Sequence, residues 1–300
     1  MKVNTIKAHL ALFAAGCMWG LMSPIGKFAM EAGITSFSLT TLRMVGAAVC
    51  FWLASIFTQR EKVSKKDLVL LLFASLLSIV FNQGLFIFGL SLTSPVDASI
   101  ITTSLPIITL ILAALFMKEP ITLSKAGGVL IGTVGAVILV LSNHNGTIGA
   151  GNVLGDILCL TAQISFACYL TIFKRLISRY NVVTLMKWMF TYASICFIPL
   201  SFNDILKLFQ DPISTSAWFA SGYVIIFGTF FAYMLVLIGQ KKLKPTIVSM
   251  YNYVQPIVGT GVSILIGMGT FGWIKALASI LIFIGVYIVT RNTSNKACIK

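Results

Sequence analysis

Two stretches of this sequence lie 150 residues apart and agree at both prolines, at one serine and at one isoleucine: PVDASIITTSLPI at 95–107 and PTIVSMYNYVQPI at 245–257. The same register continues outward, where Gly89 aligns with Gly239. At a register of 147 residues, the first apolar segment also aligns with the sixth. Similarity at a fixed spacing over so much of the chain indicates two related halves.

The composition places this chain in a membrane. Hydrophobic residues make up 58% and charged residues only 10%, with a mean hydropathy of +0.96. A water-soluble domain carries about 25% charged residues, so lipid must cover most of this surface. A helix crosses the hydrocarbon with about 20 residues. We predict transmembrane helices at about 8–30, 36–57, 67–90, 95–117, 124–141, 152–173, 184–200, 216–239, 246–267 and 271–290.

The distribution of basic residues predicts the orientation. If the N-terminus is cytoplasmic, 18 of the 22 lysine and arginine residues fall in cytoplasmic segments, and the exceptions are Lys27, Arg43, Lys207 and Lys275. Such a bias is the positive-inside rule, so both termini are predicted to be cytoplasmic. The net charge of +14 then faces anionic lipid. Membrane lipid is therefore an expected partner and nucleic acid is not.

Five helices in each half have a consequence for topology. An odd number inverts the second half, and the loops agree, because residues 91–94 carry no charge whereas 241–244 read KKLK. We predict an all-α integral membrane protein with a 5+5 inverted repeat, comprising 1–145, 150–292 and a cytoplasmic tail at 293–300. Inverted repeats are typical of secondary transporters, with the substrate site near the midplane. The alternative is a duplicated membrane protein that moves no solute.

Four features resemble the EamA-type carriers of the drug/metabolite transporter superfamily. They are Trp19-Gly20, Arg43, the run from 95 that ends in Met117-Lys118-Glu119-Pro120, and the glycine-rich segment 127–135. The resemblance covers nearly the whole chain. It implies a carrier of the bacterial inner (plasma) membrane, often one that exports amino acids or related metabolites. Gly269 stands where the family often repeats an acidic residue equivalent to Glu119, which puts a symmetric acidic pair in doubt.

Two prolines are candidate hinges. Pro106 and Pro256 lie near the middle of predicted spans, where a proline removes a backbone hydrogen bond and kinks the helix. The freed carbonyl in lipid needs a side chain, water or a solute as partner. Paired kinks suit a site that opens alternately to each side, whereas the alternative is a static bend.

Polar residues next to these prolines are candidate substrate ligands, because polar groups at membrane depth avoid lipid. We expect one central cavity between predicted helices three, four, eight and nine. Interhelical hydrogen bonding is the alternative role for each polar residue. The cavity candidates are Ser99, Thr102, Thr103, Ser249, Asn252, Tyr253, Asn82, Gln83, Tyr233, Phe86, Trp19 and Arg43. Arg43 either binds a carboxylate or phosphate, braces a helix or extends to the interface.

The sequence also predicts what is missing. It contains no H-E-x-x-H, G-x-S-x-G or Walker-type motif, so we expect no enzyme activity, catalytic residue, metal site or cofactor. Gly128-x-x-x-Gly132 and Gly135 predict close helix packing, either within the chain or at a dimer seam. The oligomeric state is expected to be a monomer or a homodimer.

Together these patterns predict a secondary transporter that moves a small metabolite by alternating access. An amino acid or similar zwitterion is the first expectation, and export the expected direction. Two alternatives stay open. One is an exporter of amphipathic drugs, favoured by the aromatic content but weakened by the absence of a mid-span carboxylate. The other is a membrane scaffold or sensor without flux.

Overall fold

The computed structural model describes residues 3–93, 101–143, 153–210, 213–265 and 272–295. These residues form helices and loops, with no strand among them. We label the main helices in chain order. They are α1 Val3–Glu31, α2 Ser36–Ile56, α3 65–92, α4 Leu105–Met117, α5 Leu123–Asn143, α6 Val153–Ile172, α7 Val182–Leu200, α8 215–242, α9 245–265 and α10 Trp273–Asn295.

Eight of these helices are long and apolar enough to cross a membrane. The exceptions are α4, which is shorter, and α9, which is divided into Pro245–Met250, a 3₁₀ turn at Tyr251–Tyr253 and Val254–Leu265. Short helices at Lys174–Arg179 and Phe202–Gln210 flank α7. The all-α membrane architecture is therefore confirmed, while the count of ten spans stays a prediction.

The two central prolines do not kink continuous helices, which corrects the expectation from sequence. Pro106 lies in the first turn of α4, directly after a turn at Thr103 and Ser104. Pro256 lies in the first turn of Val254–Leu265, after the 3₁₀ turn. In a first turn the missing N–H leaves no helical bond unmade. The backbone break therefore comes before each proline, and the proline begins the next helix.

The repeat extends to unusual backbone geometry. A π-helical segment interrupts α3 at Leu76–Phe81 and α8 at Ile226–Phe231, again 150 residues apart. In α8 the wider turn is completed by Thr229, whose Oγ1 donates to the Val224 carbonyl at 2.8 Å, five residues earlier. Such π-segments often occur at functional sites. Both halves thus carry the same irregular turn at the same place.

Glycines of α5 and α10 reveal how the halves are related. A Cβ on Gly128 would lie 3.0 Å from the Gly285 carbonyl oxygen, and one on Gly135 would lie 2.8 Å from the Ala278 carbonyl oxygen. Gly285 is the repeat partner of Gly135, and Ala278 is that of Gly128, so the contact is reciprocal. Reciprocal contacts are the mark of a two-fold axis.

The start of α5 meets the end of α10, so the helices are antiparallel and the axis is perpendicular to them. This is the relation expected of an inverted repeat, and it commits these glycines to packing within the chain.

A second reciprocal pair joins the halves. Gly239 of α8 packs on Leu12 of α1, where an added Cβ would overlap the Leu12 side chain. Gly89 of α3 packs in the same way on Cys159 of α6, where the added Cβ would lie 2.7 Å from the sulfur. Gly89 and Gly239 are 150 residues apart, and Leu12 and Cys159 are 147 apart. Each half therefore contributes its first helix to the third helix of the other half.

Candidate functional site

Two residues touch their own repeat partners at the centre of the molecule. Gln83 Nε2 donates to Tyr233 Oη at 3.3 Å, and Tyr253 Oη donates to the Thr103 carbonyl oxygen at 3.2 Å. Each pair is separated by 150 residues. A residue that contacts its own symmetry mate lies on the symmetry axis. These pairs therefore mark the axis, and because the axis crosses the helices, they also mark the middle level of the bundle.

Arg43 lies beside one of these axial pairs. Its Nε donates to Thr229 Oγ1 at 3.0 Å, and its Nη1 makes a longer contact of 3.5 Å to Gln83 Oε1. The residue is only 7% exposed, so it does not extend to the interface. Both acceptors are uncharged, and burying a cation at this depth costs free energy, so ionisable residues that are kept there are often functional. Arg43 is thus a buried positive charge next to the axis. Its side chain, on α2, bonds to α3 and α8.

Aromatic rings surround Tyr233 on the axis. Trp19 meets it edge-on with ring centroids 5.5 Å apart, and Phe190 does so at 5.2 Å. Trp19 Nε1 also donates to the Gly228 carbonyl at 3.0 Å, within the π-segment of α8. The π-segment therefore contacts both Trp19 and, through Thr229, Arg43. Side chains from both halves meet at this irregular turn.

Two clefts border this central level. Each is a narrow crevice with a cavity volume of about 10 Å³, room for about one water molecule. The first is lined by Leu12, Gly16, Trp19, Phe166, Val236, Val248, Tyr251 and Asn252. The second is lined by Ser78, Phe166, Tyr169, Met186, Met189, Tyr233, Val236, Leu237 and Gln240. Phe166 and Val236 belong to both, so the clefts adjoin. Both extend from the axis towards the end where α1 begins and α8 ends, which we call the N-terminal end.

The clefts differ from the cavity expected from sequence. Their linings come from α1, α6, α8 and α9 in one case and from α3, α6, α7 and α8 in the other. The described part of α4 contributes no residue to either lining. Instead, α4 packs against α6 and α9.

The two ends of the bundle are held by different chemistry. At the N-terminal end, Asp67 accepts hydrogen bonds from Arg179 at 3.1 Å and from Tyr180 at 2.6 Å. At the opposite end the repeat partner of Asp67 is Ala217, which belongs to an apolar cluster. That cluster contains Ala29, Ile34, Leu39, Leu208, Ala217, Ala220 and Val224. An ion pair thus holds one end, and apolar packing holds the other.

A buried ion pair adds to the polar character of the N-terminal end. Lys125 Nζ lies 3.1 Å from Glu119 Oε2, with both side chains largely buried. Lys174 donates to the Leu243 carbonyl at 2.6 Å. Burial lowers the pKa of Lys174 to about 8, although the Glu119 carboxylate acts in the opposite direction. Gly269, the repeat counterpart of Glu119, lies outside the described residues.

The predicted site residues divide by their contacts. Trp19 and Asn252 line the first cleft and Tyr233 lines the second, whereas neither lining includes the remaining candidates. Gln83 belongs to one axial pair, and Arg43 contacts Gln83. Several others bond to helices: Asn82 Nδ2 donates to the Ala162 carbonyl, Ser249 Oγ to the Thr246 carbonyl, and Tyr253 Oη pairs with Thr133 Oγ1. Thr102 and Phe86 are half-buried and Thr103 is buried. Ser99 lies outside the described residues.

Sequence reasoning missed Thr229, Gln240 and the two methionines of the second cleft. Thr229 aligns with Ile79 at the 150-residue register, and Gln240 aligns with Leu90. Most candidate positions on predicted helices three, four, eight and nine are polar in both halves, whereas Thr229 and Gln240 are polar in one half only. A polar residue opposite an apolar repeat partner is the signal that would have found Thr229 and Gln240, whereas no sequence signal distinguishes the two methionines from core residues.

Comparison with known proteins identifies the family. A model of the EamA-like transporter family matches residues 6–141 and matches again at residues 153–291. The chain belongs to the EamA-like transporter family. This EamA-like transporter is therefore a multi-pass membrane protein with one family match in each half.

Relatives of this EamA-like transporter occur in plants, archaea and bacteria. It is 21% identical to a WAT1-related protein of Arabidopsis thaliana, over 98% of this chain and 86% of that one. It is 26% identical to an uncharacterized transporter of Archaeoglobus fulgidus, over 96% and 100% of the two chains. A solved structure superposes with a TM-score of 0.80 at 18% identity, over 96% of this chain and 98% of that one, which shows the fold alone.

Asn252 and Asn82 should respond differently to alanine in this EamA-like transporter. Asn252 lines the first cleft, so Asn252→Ala is expected to lower transport with normal abundance in the membrane. Asn82 binds the α6 backbone at 3.0 Å, so Asn82→Ala is expected to lower thermal stability by about 1 kcal/mol or less. Transport and melting measurements on both variants test this. The opposite pattern would remove Asn252 from the site.

Proposed function

We propose that this transporter exports a small organic metabolite, an amino acid or a similar zwitterion, by alternating access. The observation that carries the proposal is the pair of axial contacts, Gln83 with Tyr233 and Thr103 with Tyr253. They bring both halves together at the middle level, beside a buried cation and two clefts. In inverted-repeat transporters the substrate binds at this interface between repeats.

The broken helix beside the axis supports alternating access. α9 is interrupted at Tyr251–Tyr253, and Tyr251 and Asn252 of that turn line the first cleft. Interrupted helices let a backbone group bind solute where it faces a cavity. Pro106 and Pro256, which begin the helices after each break, remain the proposed hinge positions. The halves would rock about these breaks while the axial contacts hold the centre.

The charge at the centre favours a solute with a carboxylate. Arg43 bonds to uncharged acceptors, and a guanidinium binds carboxylate in a bidentate manner. The same charge disfavours cationic amphipathic drugs, because like charges repel in a site of low polarity. Export of such drugs is therefore the second candidate. A scaffold or sensor without flux is the third, and the match to a transporter family in both halves argues against it.

The proposed location is a bacterial inner membrane with both termini in the cytoplasm. The positive-inside bias supports this orientation, and the Arg179–Asp67 ion pair would then lie at the cytoplasmic end. A tag at the C-terminus is expected to resist a membrane-impermeant label in intact cells and to react after permeabilisation. Labelling in intact cells would reverse the orientation.

Exchange in liposomes tests the proposed function. Purified protein is reconstituted with an unlabelled solute inside, and uptake of the labelled solute is followed for a panel of amino acids, other carboxylates and cationic drugs. We expect exchange of at least one amino acid or related carboxylate. Exchange of cationic drugs alone would favour the second candidate, and no exchange by folded protein would favour a scaffold.

A further inference from the structure

The second cleft contains a buried amide with an unused bonding group. Gln240 is only 3% exposed and lines this cleft. Its Oε1 accepts from Tyr169 Oη at 3.0 Å, whereas its Nε2 has no hydrogen-bond partner among the described residues. A buried polar group left unpaired costs about 1–3 kcal/mol. Among the buried unpaired side-chain atoms of the described residues, Gln240 Nε2 is the one whose residue lines a cleft, so it can donate to a molecule bound there.

The walls around this amide are apolar and adaptable. Met186 and Met189 from α7 face Phe166 and Tyr169 from α6, and the lining includes no charged residue. Methionine has a flexible side chain that fits irregular or changing shapes. The cleft is narrow as it stands, so a solute requires the methionines to move. Its lining suits an apolar body, and Gln240 suits one polar atom.

The amide is held in place from behind. Tyr169 is 2% exposed and fixes one end of the Gln240 amide, while the Nε2 end is covered and can meet a solute only when the lining of the cleft moves. At the equivalent position of the first half stands Leu90, so the amide belongs to one half only. A packing role common to both repeats therefore does not account for Gln240.

We infer that the second cleft is a solute subsite in which Gln240 donates from Nε2 to a carbonyl or carboxylate oxygen, while Met186 and Met189 hold an aliphatic body. This inference rests on the proposed function, and it narrows the class of transported solute to molecules such as an aliphatic amino acid. Tyr233 lines the same cleft and lies on the axis. A solute bound here would therefore contact the level at which the halves meet.

Binding to detergent-solubilised protein tests the subsite without requiring flux. The probes are leucine and isoamylamine, which has the same aliphatic body and no carboxylate. We expect leucine, but not isoamylamine, to raise the melting temperature of the unaltered protein. Gln240→Leu is expected to weaken leucine binding by about fivefold or more, the loss of one hydrogen bond. The exposed Gln59→Leu serves as the matched control and should bind leucine normally.

The stability of the variant separates a binding role from a structural one. Gln240→Leu removes the unpaired Nε2 but also leaves the buried Tyr169 Oη without its acceptor. The double variant Gln240→Leu/Tyr169→Phe is therefore compared with Tyr169→Phe alone, and without solute it should be equally stable or more so. A less stable variant with unchanged leucine affinity would overturn the subsite, as would equal stabilisation by isoamylamine. Binding of leucine that is lost in Gln240→Leu, together with absence of exchange in liposomes, would keep the subsite and reject the carrier function.

Discussion

Replacing Arg43 with glutamine is expected to lower solute exchange by about tenfold or more without lowering thermal stability. The charge lies beside Tyr233 on the axis, where a carboxylate would lose its bidentate partner. The groups that Arg43 contacts keep other bonds. Thr229 still donates to the Val224 carbonyl, and Gln83 still bonds to Asn82 and Tyr233. Removing a buried charge whose partners stay paired is often neutral or stabilising.

Exchange in liposomes and melting of the purified protein check this prediction together. Arg60→Gln is the control, because Arg60 is an exposed cation in the loop after α2. It should leave both properties unchanged. If Arg43→Gln exchanges solute at the normal rate, Arg43 has no part in binding. If stability falls in step with exchange, its role is to brace the helices.

Replacing Gly285 with alanine is expected to have the largest effect on stability. The added Cβ would lie 2.6 Å from the Gly128 carbonyl oxygen and 2.6 Å from the Gly132 nitrogen. Both are backbone atoms, so no side chain can rotate to make room, and α10 must move away from α5. Overpacking of this kind costs about 1–3 kcal/mol. A lower melting temperature and lower abundance in the membrane are the expected results.

Gly127→Ala is the matched control for this seam. Gly127 lies next to Gly128 on α5, yet an added Cβ there meets no atom within 4 Å. In a helix, alanine is also more favourable than glycine by about 1 kcal/mol. This variant should therefore be as stable as the unaltered protein or more so. Equal tolerance of both substitutions would contradict the close contact of α5 with α10.

The fold could be predicted because it depends on features that the sequence states directly. Apolar length predicts spans, basic loops predict orientation, and the 150-residue register predicts two inverted halves. The same register aligns Gln83 with Tyr233, but only the structure shows that the two side chains touch. The position of the backbone break before α4 and of the one within α9 could not be predicted in detail. A proline suits both a kink and a helix start, and only the backbone around Thr103 and Tyr253 distinguishes them.

The site was harder to predict than the fold. Polarity at membrane depth identified Asn82 and Ser249, but their bonds are to helix backbone, a role that sequence alone does not separate from binding. The π-segments depend on packing between halves, since a widened turn is stable only where neighbours hold it. Gln240 was missed because its repeat partner Leu90 is apolar, and its unpaired Nε2 is visible only in three dimensions.

The central claim is that the two ends of this transporter open alternately about the axis through Gln83 and Tyr233. Paired spin labels test it most directly, in protein whose native cysteines have been replaced. One pair of labels is placed at Lys66 and Ser178 at the N-terminal end, and the other pair at Met30 and Ser216 at the opposite end. All four side chains are exposed. Addition of the exchanged solute is predicted to change the two distances in opposite directions. Two distances that stay constant, or that change in the same direction, would contradict the account.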